Sequence, residues 1–442
     1  MEKKNVSRKQ FLKTTIGLGV ASFGLGSLIS SCGKPERRHE ELRLPPLLDR
    51  AANGKKLRAG LIGTGNRGTG AALNFLSAGN DLELVALGDV FANQIDICRK
   101  QLKKYKFEVA DKNCFTGFDA YQKVIDAGVD VVLLATPPHF RPEHFKAAVE
   151  ARKHVFMEKP AAVDPVGIRS IISSAKRAAS LGLCVVSGTQ RRHSEDYIET
   201  YKQVANGMLG DLVSARAFWN QAHVWFRNRE TSWTDMEYMI RNWNNFSWLS
   251  GDHILDTHVH NIDIINWFME KHPESAIGYG GRHRRVTGDQ YDFFSIDFNY
   301  GKGVYSHSMS RQIDDCANGV GEQVIGTKGY TNCRNKIFNH EGEPIWEYTY
   351  PDPQKEKLKI SPYIQEHIHL VNAIRTGQYI NQAEETAIST MTAIMGREAA
   401  YTGKEIKWND LMSSDLRKGP KEYSLTNINM DFDVPIPGTS VK

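Results

Sequence analysis

The sequence predicts an α/β protein in two parts: a doubly wound parallel sheet first, then an α+β unit with a largely antiparallel open sheet. Three observations carry this. Between residues 57 and 187 short apolar runs alternate with helical stretches, and runs such as 129–135 are apolar without a break. A strand apolar on both faces is covered on both faces, as in a parallel sheet flanked by helices. After Gly188 the rhythm stops, and residues 290–298, 303–310 and 322–325 alternate with the period of half-buried strands. The 442 residues, 40% hydrophobic and 24% charged, suffice for two sizeable cores.

Residues 1–32 read as an export leader. Lys3, Lys4, Arg8 and Lys9 precede a weakly apolar run, 16–29, that Lys13 and its glycines make too poor to span a membrane. Ser7-Arg8-Lys9-Gln10-Phe11-Leu12-Lys13 resembles a twin-arginine export signal with Lys9 in the second arginine's place. Ile29-Ser30-Ser31-Cys32 resembles a lipobox, which would make Cys32 the lipidated first residue of an exported bacterial lipoprotein, periplasmic or membrane-anchored. Most of the formal net charge of +5 belongs to this leader, so charge gives no support for nucleic-acid binding. Residues 33–55, charged and proline-containing, read as a tether. The remaining cysteines, Cys98, Cys114, Cys184, Cys316 and Cys333, have no C-x-x-C spacing, so neither a disulfide framework nor a zinc site is expected.

Residues 56–188 form the first folded part. Strand 57–62, the glycine turn 63–68 and helix 70–77 open it. Strand 82–87, helix 93–105, strand 129–135, helix 142–151, strand 154–157, helix 165–180 and strand 183–187 follow. The second part, 189–415, has a helix near 194–206, a strand 213–219, an aromatic and basic stretch to 250, and a helix over 252–270. Its alternating strands come next, and helices near 363–376 and 383–402 close it. Residues 416–442 lack a core pattern and are expected to wrap over the surface or stay loose.

Gly63-x-Gly65-x-x-Gly68 follows a strand, opens a helix, and precedes Asp89 at the end of the second strand, 21 positions beyond Gly68. That is the context of a dinucleotide fingerprint in a Rossmann domain. Glycines permit a tight turn and close backbone approach, so helix N-terminal amides meet a pyrophosphate. Asp89 would accept from the ribose hydroxyls and repel a 2′-phosphate, favouring NAD over NADP.

Glu158-Lys159-Pro160 stands just past a strand end, where ligands bind in open α/β sheets; on its own it also fits a surface Lys-Pro turn. Within 252–270, Asp256, His260 and Asp263 sit four and three apart, a spacing that places them on one helix face among apolar neighbours. A His held by a carboxylate is the usual proton shuttle, and structural networks bury the same groups. Asp252, His253, Asp256, His258 and His260 are also a dense set of ligand-type residues. Histidines two apart do not share a helical face, so no metal is expected.

In this order the motifs resemble the glucose–fructose oxidoreductase / inositol dehydrogenase / MocA family. Ala135-Thr136-Pro137-Pro138 with His144, Gly326-Thr327-Lys328-Gly329 and Gly396-Arg397-Glu398-Ala399-Ala400 add to the likeness, which covers roughly 56–415. The resemblance implies an NAD-dependent oxidoreductase with Lys159, His260 and Asp256 as catalytic residues. His260 would move the hydroxyl proton, Lys159 would hold the same oxygen and Asp256 would orient the site. The cofactor set is Gly63, Gly65, Asn66, Arg67, Gly68, Asp89, Thr136, Pro137, His139, Glu158, Lys159 and Gln190. The family often has glycine two places after its helix Asp, where this chain has His258.

Six of the eight tryptophans fall between Trp219 and Trp267, interleaved with Asn, His and Arg. Flat aromatic faces beside polar donors suit a sugar ring. The expected substrate residues are Arg191, Arg192, Trp219, His223, Trp225, Arg241, Trp243, His258 and Asp263, and the expected substrate is a sugar or glycoside. Because free NAD is scarce outside the cytoplasm, an exported enzyme would keep its cofactor through a redox-neutral cycle. That leaves a glycosidase using recycled NAD as an alternative, and a lipid-anchored, non-catalytic carbohydrate-binding protein as another. A homo-oligomer is also expected.

Overall fold

The computed structural model describes residues 41–42, 44–349, 360–428 and 432–439. The leader, with Cys32 and its export motifs, lies outside these residues. No described helix is long and apolar enough to cross a membrane. The five cysteines from Cys98 onward are free thiols.

The first sheet has six parallel strands: β1 (Leu57–Ile62), β2 (Leu82–Asp89), β3 (Cys114–Thr116), β4 (Val131–Leu134), β5 (His154–Met157) and β6 (Val185–Ser187). Their spatial order is β3-β2-β1-β4-β5-β6. The order reverses direction at β1, which opens a crevice at the strands' C-terminal ends. All four residues of β4 are buried, as a strand sandwiched between helix layers requires. The helices are α1 (Asn66–Ser77), α2 (Ala92–Lys104), α3 (Ala120–Asp126), α4 (Arg141–Glu150) and α5 (Pro165–Ser180). The short β3 and α3 lie in a stretch where hydrophobic periodicity gave no element.

Among the described residues the second sheet has nine strands. β7 (Leu212–Gln221) lies near its middle, paired in parallel with β10 (Tyr305–Gln312) and antiparallel with β11 (Gly319–Gly326). β8 (Ser275–Gly281) and β9 (Phe293–Asn299) extend it antiparallel on one side. One face is open. The other carries Phe294, Ile296 and Phe298 of β9 and Ser306, Ser308 and Ser310 of β10, all buried. The serines leave room for histidines from the covering helices. His258 Nε2 lies 2.7 Å from Ser308 Oγ, and His253 Nε2 lies 3.0 Å from Ser310 Oγ.

Two elements depart from the sequence reading. After α6 (Glu195–Ala205), α7 (Asp235–Arg241) and α8 (Ser247–Ser250), the helix expected over 252–270 is broken into α9 (His253–Asp256) and α10 (Val259–Met269). Helix α11 (Pro362–Thr376) does not close the second sheet; it returns to the first. Its Ile368, Leu370 and Val371 share a core with Leu57 and Leu61 of β1 and Phe75 of α1. The chain then runs along the edge of β6, where Val185 N donates to Ile380 O at 2.8 Å. Helix α12 (Ala383–Thr402) packs under the second sheet, so the two units share cores on both sides.

Candidate active site

The crevice at the ends of β1, β2, β4 and β5 is a cavity of about 870 Å³. That is near the top of the roughly 300–1,000 Å³ range for small-molecule sites. The glycine turn forms its floor. Gly63 has φ +89°, and a Cβ on Gly68 would stand 1.9 Å from the Gly63 carbonyl oxygen, so neither position admits a side chain. A Cβ on Gly65 would meet nothing within 4 Å. Here the backbone at the N-terminus of α1 faces open space, the shape a pyrophosphate needs to reach the amides. Asp89, also in the wall, accepts from Thr64 N at 2.8 Å and Thr64 Oγ1 at 3.0 Å through one oxygen, and from Phe91 N at 3.0 Å through the other. Burial raises its pKa against these hydrogen bonds.

Residues from both units line the opposite end. Lys159, just past β5, donates to the backbone carbonyl of Asp256, whose Oδ1 lies 3.9 Å away. Burial lowers the Lys159 pKa, opposed by the charges of Asp256 and Glu158. His260, in the first turn of α10, lines the same cavity, and its ring stacks on Trp219 with centroids 5.9 Å apart. Burial first, then the positive charges of Lys159 and Arg191, hold its pKa well below 6.5. A neutral imidazole thus faces a lysine across a shared space.

Of the residues expected at the cofactor, Gly63, Gly65, Asn66, Arg67, Gly68, Asp89, Thr136, Pro137, Glu158, Lys159 and Gln190 line the cavity. His139 does not. It shares a hydrogen bond of 2.7 Å with Tyr423 and packs edge-on against Trp248. Of those expected at the substrate, Trp225, Arg241 and Trp243 line the cavity. Arg241 stands over Phe91, two residues past Asp89, and so at the β2 end.

The rest lie elsewhere. Arg192 Nε and Nη2 donate to the two oxygens of Asp263 at 2.8 and 2.9 Å, and Ser389 Oγ donates to the same carboxylate. This buried pair joins the start of the second unit to α10 and α12. Asp263 follows His260 by three residues within α10, but its carboxylate is taken by Arg192 and Ser389 and does not line the cavity. His258 is buried beneath the sheet on Ser308. Arg191 pairs with Glu322 behind Trp219, and His223 lies 3.3 Å from Arg285. Among the described residues, no group of three or more His, Cys, Asp or Glu is arranged to hold a metal ion.

The cavity wall also holds residues without a motif. Arg141, in α4, is buried and donates to the Pro160 carbonyl; burial lowers its pKa to about 10. Tyr363, from α11, faces Arg67 with the guanidinium 4.9 Å from its ring centroid. Arg67 itself lies between Glu158 and the fully buried Glu366. Arg141 follows the Thr136-Pro137 loop at a strand end, a place the crevice rule marks. Tyr363 and Glu366 come from a helix 200 residues downstream, and no local pattern announces them.

Comparisons with known proteins agree with this architecture. Residues 57–186 match an oxidoreductase family model described as an NAD-binding Rossmann fold, and residues 201–407 match that family's C-terminal alpha/beta domain. The chain is 27% identical over 224 residues to myo-inositol 2-dehydrogenase of Thermotoga maritima, covering 51% of this chain and 58% of that protein. It is 30% identical over 169 residues to D-glucoside 3-dehydrogenase of Escherichia coli, covering 38% of this chain and 45% of that one. The matched stretches thus span about half the length of these curated relatives. Among solved structures, scyllo-inositol dehydrogenase from Lactobacillus casei with NAD(H) and scyllo-inositol superposes with a TM-score of 0.60 at 22% identity, over 80% of this chain and all of that one. Aldose-aldose oxidoreductase from Caulobacter crescentus gives 0.63 at 18% identity, again over 80% and all. At these identities the structural likeness speaks to the fold. The two domain matches together cover most of the sequence, and the chain belongs to the Gfo/Idh/MocA family of NAD-binding oxidoreductases.

Proposed function

We propose that this protein transfers a hydride between a hydroxyl-bearing carbon of a sugar or glycoside and a retained NAD. One observation carries the reading: Lys159 from the first sheet and His260 from α10 open onto the cavity that also contains the glycine turn and Asp89. The turn and the N-terminus of α1 would hold the pyrophosphate, and Asp89 the ribose. Bound NAD supplies the hydride acceptor. Lys159 holds the reacting oxygen and His260, neutral at its depressed pKa, accepts the hydroxyl proton. Asp256 positions Lys159 through its carbonyl and its charge. Holding both groups against one carbon supplies much of the acceleration. Lysine and histidine converging on one space argue against a protein that only binds carbohydrate.

The names of the similar proteins, inositol and glucoside dehydrogenases, support a ring polyol as substrate. Trp225 and Trp243, 6.2 Å apart edge to face in the cavity wall, offer apolar surface for it. Export with a lipid on Cys32 remains part of the proposal, as does a homo-oligomer. Ile277, Tyr279, Tyr305 and Val320 are exposed on the second sheet, which supports self-association.

Heat-denaturing the purified protein and assaying the released small molecules tests the reading: NAD in near-equal amount supports it, and a protein that neither carries nor takes up NAD contradicts it. Aryl glycosides then separate net oxidation from a glycosidase cycle. Aglycone release without lasting cofactor reduction marks the glycosidase.

A further inference from the structure

At the Asp89 end, the cavity is covered by the second unit. Helix α7 (Asp235–Arg241) places the Arg241 guanidinium 3.7 Å from the centroid of the Phe91 ring, with Nη1 3.3 Å from Asn93 Oδ1. Both partners lie in the first unit, just beyond β2, where an adenosine would sit if Asp89 holds its ribose. Glu237 accepts from Arg241 Nε at 2.9 Å and fixes the guanidinium's orientation. The underside of α7 is apolar: Met236, Met239 and Ile240 are buried against Phe91, Phe140 and Trp248.

The C-terminal tail pins this helix from outside. Met236 N donates to Thr426 O at 3.2 Å, Asp235 N to Asn427 Oδ1 at 3.1 Å, and Ile428 N to Asp235 Oδ2 at 3.2 Å. The same tail holds the loop after β4 through Tyr423 and His139. A segment without helix or strand thus ties the covering helix to the edge of the crevice.

We propose that Arg241 and helix α7 are a fixed roof on the adenosine subsite, latched by tail residues 423–428, which keeps the dinucleotide bound through turnover. The inference rests on the reading that the cavity holds NAD. Opening the roof requires parting a buried apolar cluster, so cofactor release is coupled to a local unfolding step rather than to simple diffusion.

The test measures NAD release from the full chain by diluting loaded protein into an excess of an enzyme that consumes free NAD. Wild type should retain NAD through gel filtration, while Arg241→Ala and a chain ending at Lys418 release it at least about tenfold faster. Nicotinamide mononucleotide, which lacks the adenosine half, should bind wild type and Arg241→Ala equally; general damage to the fold would weaken both ligands. If the shortened chain fails to fold, the double variant Asp235→Ala with Asn427→Ala, which removes the side-chain acceptors of two of the latch bonds, takes its place. Release from Arg241→Ala at the wild-type rate, or rapid exchange in wild type, overturns the roof while leaving the oxidoreductase reading intact. A wild-type chain that takes up no NAD overturns both.

Discussion

The ammonium of Lys159 donates to the backbone carbonyl of Asp256, tying the end of β5 to the break between α9 and α10. A lysine from the first unit is thereby held by the segment that carries His260, and the proposed reaction centre lies where the two units meet. Lys159→Met and His260→Ala should each lower kcat by about 10²–10⁴-fold. NAD content per chain should stay at the wild-type level. Steady-state kinetics together with cofactor assay after denaturation check both halves, and loss of NAD from either variant would reassign these residues to cofactor binding.

The glycines of the turn separate two kinds of damage. Gly65→Ala meets open space, so the apo protein should melt at the wild-type temperature while NAD affinity falls. Gly68→Ala drives a Cβ into the Gly63 carbonyl and should cost about 1–3 kcal/mol of stability as well as NAD binding. Calorimetry of the apo proteins beside NAD titration distinguishes them; equal melting temperatures for the two variants would refute the packing argument.

Asp89 bears on cofactor choice. Asp89→Asn can still accept from Thr64 but lacks the charge that repels a 2′-phosphate. The ratio of NAD to NADP affinity should fall by about tenfold or more, the size of one charged contact. An unchanged ratio would place the discriminating group elsewhere.

The buried pair of Arg192 and Asp263 should govern stability rather than chemistry. Asp263→Ala leaves a buried guanidinium without its bidentate partner, at a cost of about 3–5 kcal/mol. Folded protein should keep its KM, because neither residue lines the cavity. Denaturant titration and steady-state kinetics at low temperature test this, and a raised KM with unchanged stability would return Asp263 to the substrate site.

Acid should destabilise the fold. His139, His144, His193 and His258 are pushed down to about 3 by burial, from 6.5. Below 6.5 the unfolded chain binds protons that the folded chain refuses. Stability is therefore whole above 6.5 and declines as pH falls toward 3, by up to about 1.4 kcal/mol per unit for each histidine. Denaturant titrations across that range should show the decline, and His258→Gln should make it shallower; stability that rises on acidification would contradict the assignment.

Five of the six strands of the first sheet, the glycine turn and the acidic residue at the end of β2 were legible because parallel strands are continuous apolar runs and the turn needs glycine for steric reasons; β3 was not. Lys159 and His260 were legible as a resemblance, while their meeting is a property of the tertiary fold. Asp263 was misplaced because spacing alone does not say where along a helix the cavity ends: it lies three residues beyond His260 in α10, where Arg192 and Ser389 take its carboxylate. His258 looked like a site residue by chemistry alone; its partner, Ser308, lies 50 positions away on a strand. Tyr363 reaches the cavity and Glu366 reaches Arg67 because α11 crosses back to the first sheet, a topological choice that no local pattern encodes.

The most direct measurement is reduction of the bound nicotinamide, followed by its absorbance, when NAD-loaded protein meets a panel of sugars, inositols and glycosides. At least one polyol should reduce the cofactor in wild type, and none should do so in equally loaded Lys159→Met or His260→Ala. Reduction at the wild-type rate in either variant would mean that the hydroxyl reacts without the two groups said to flank it.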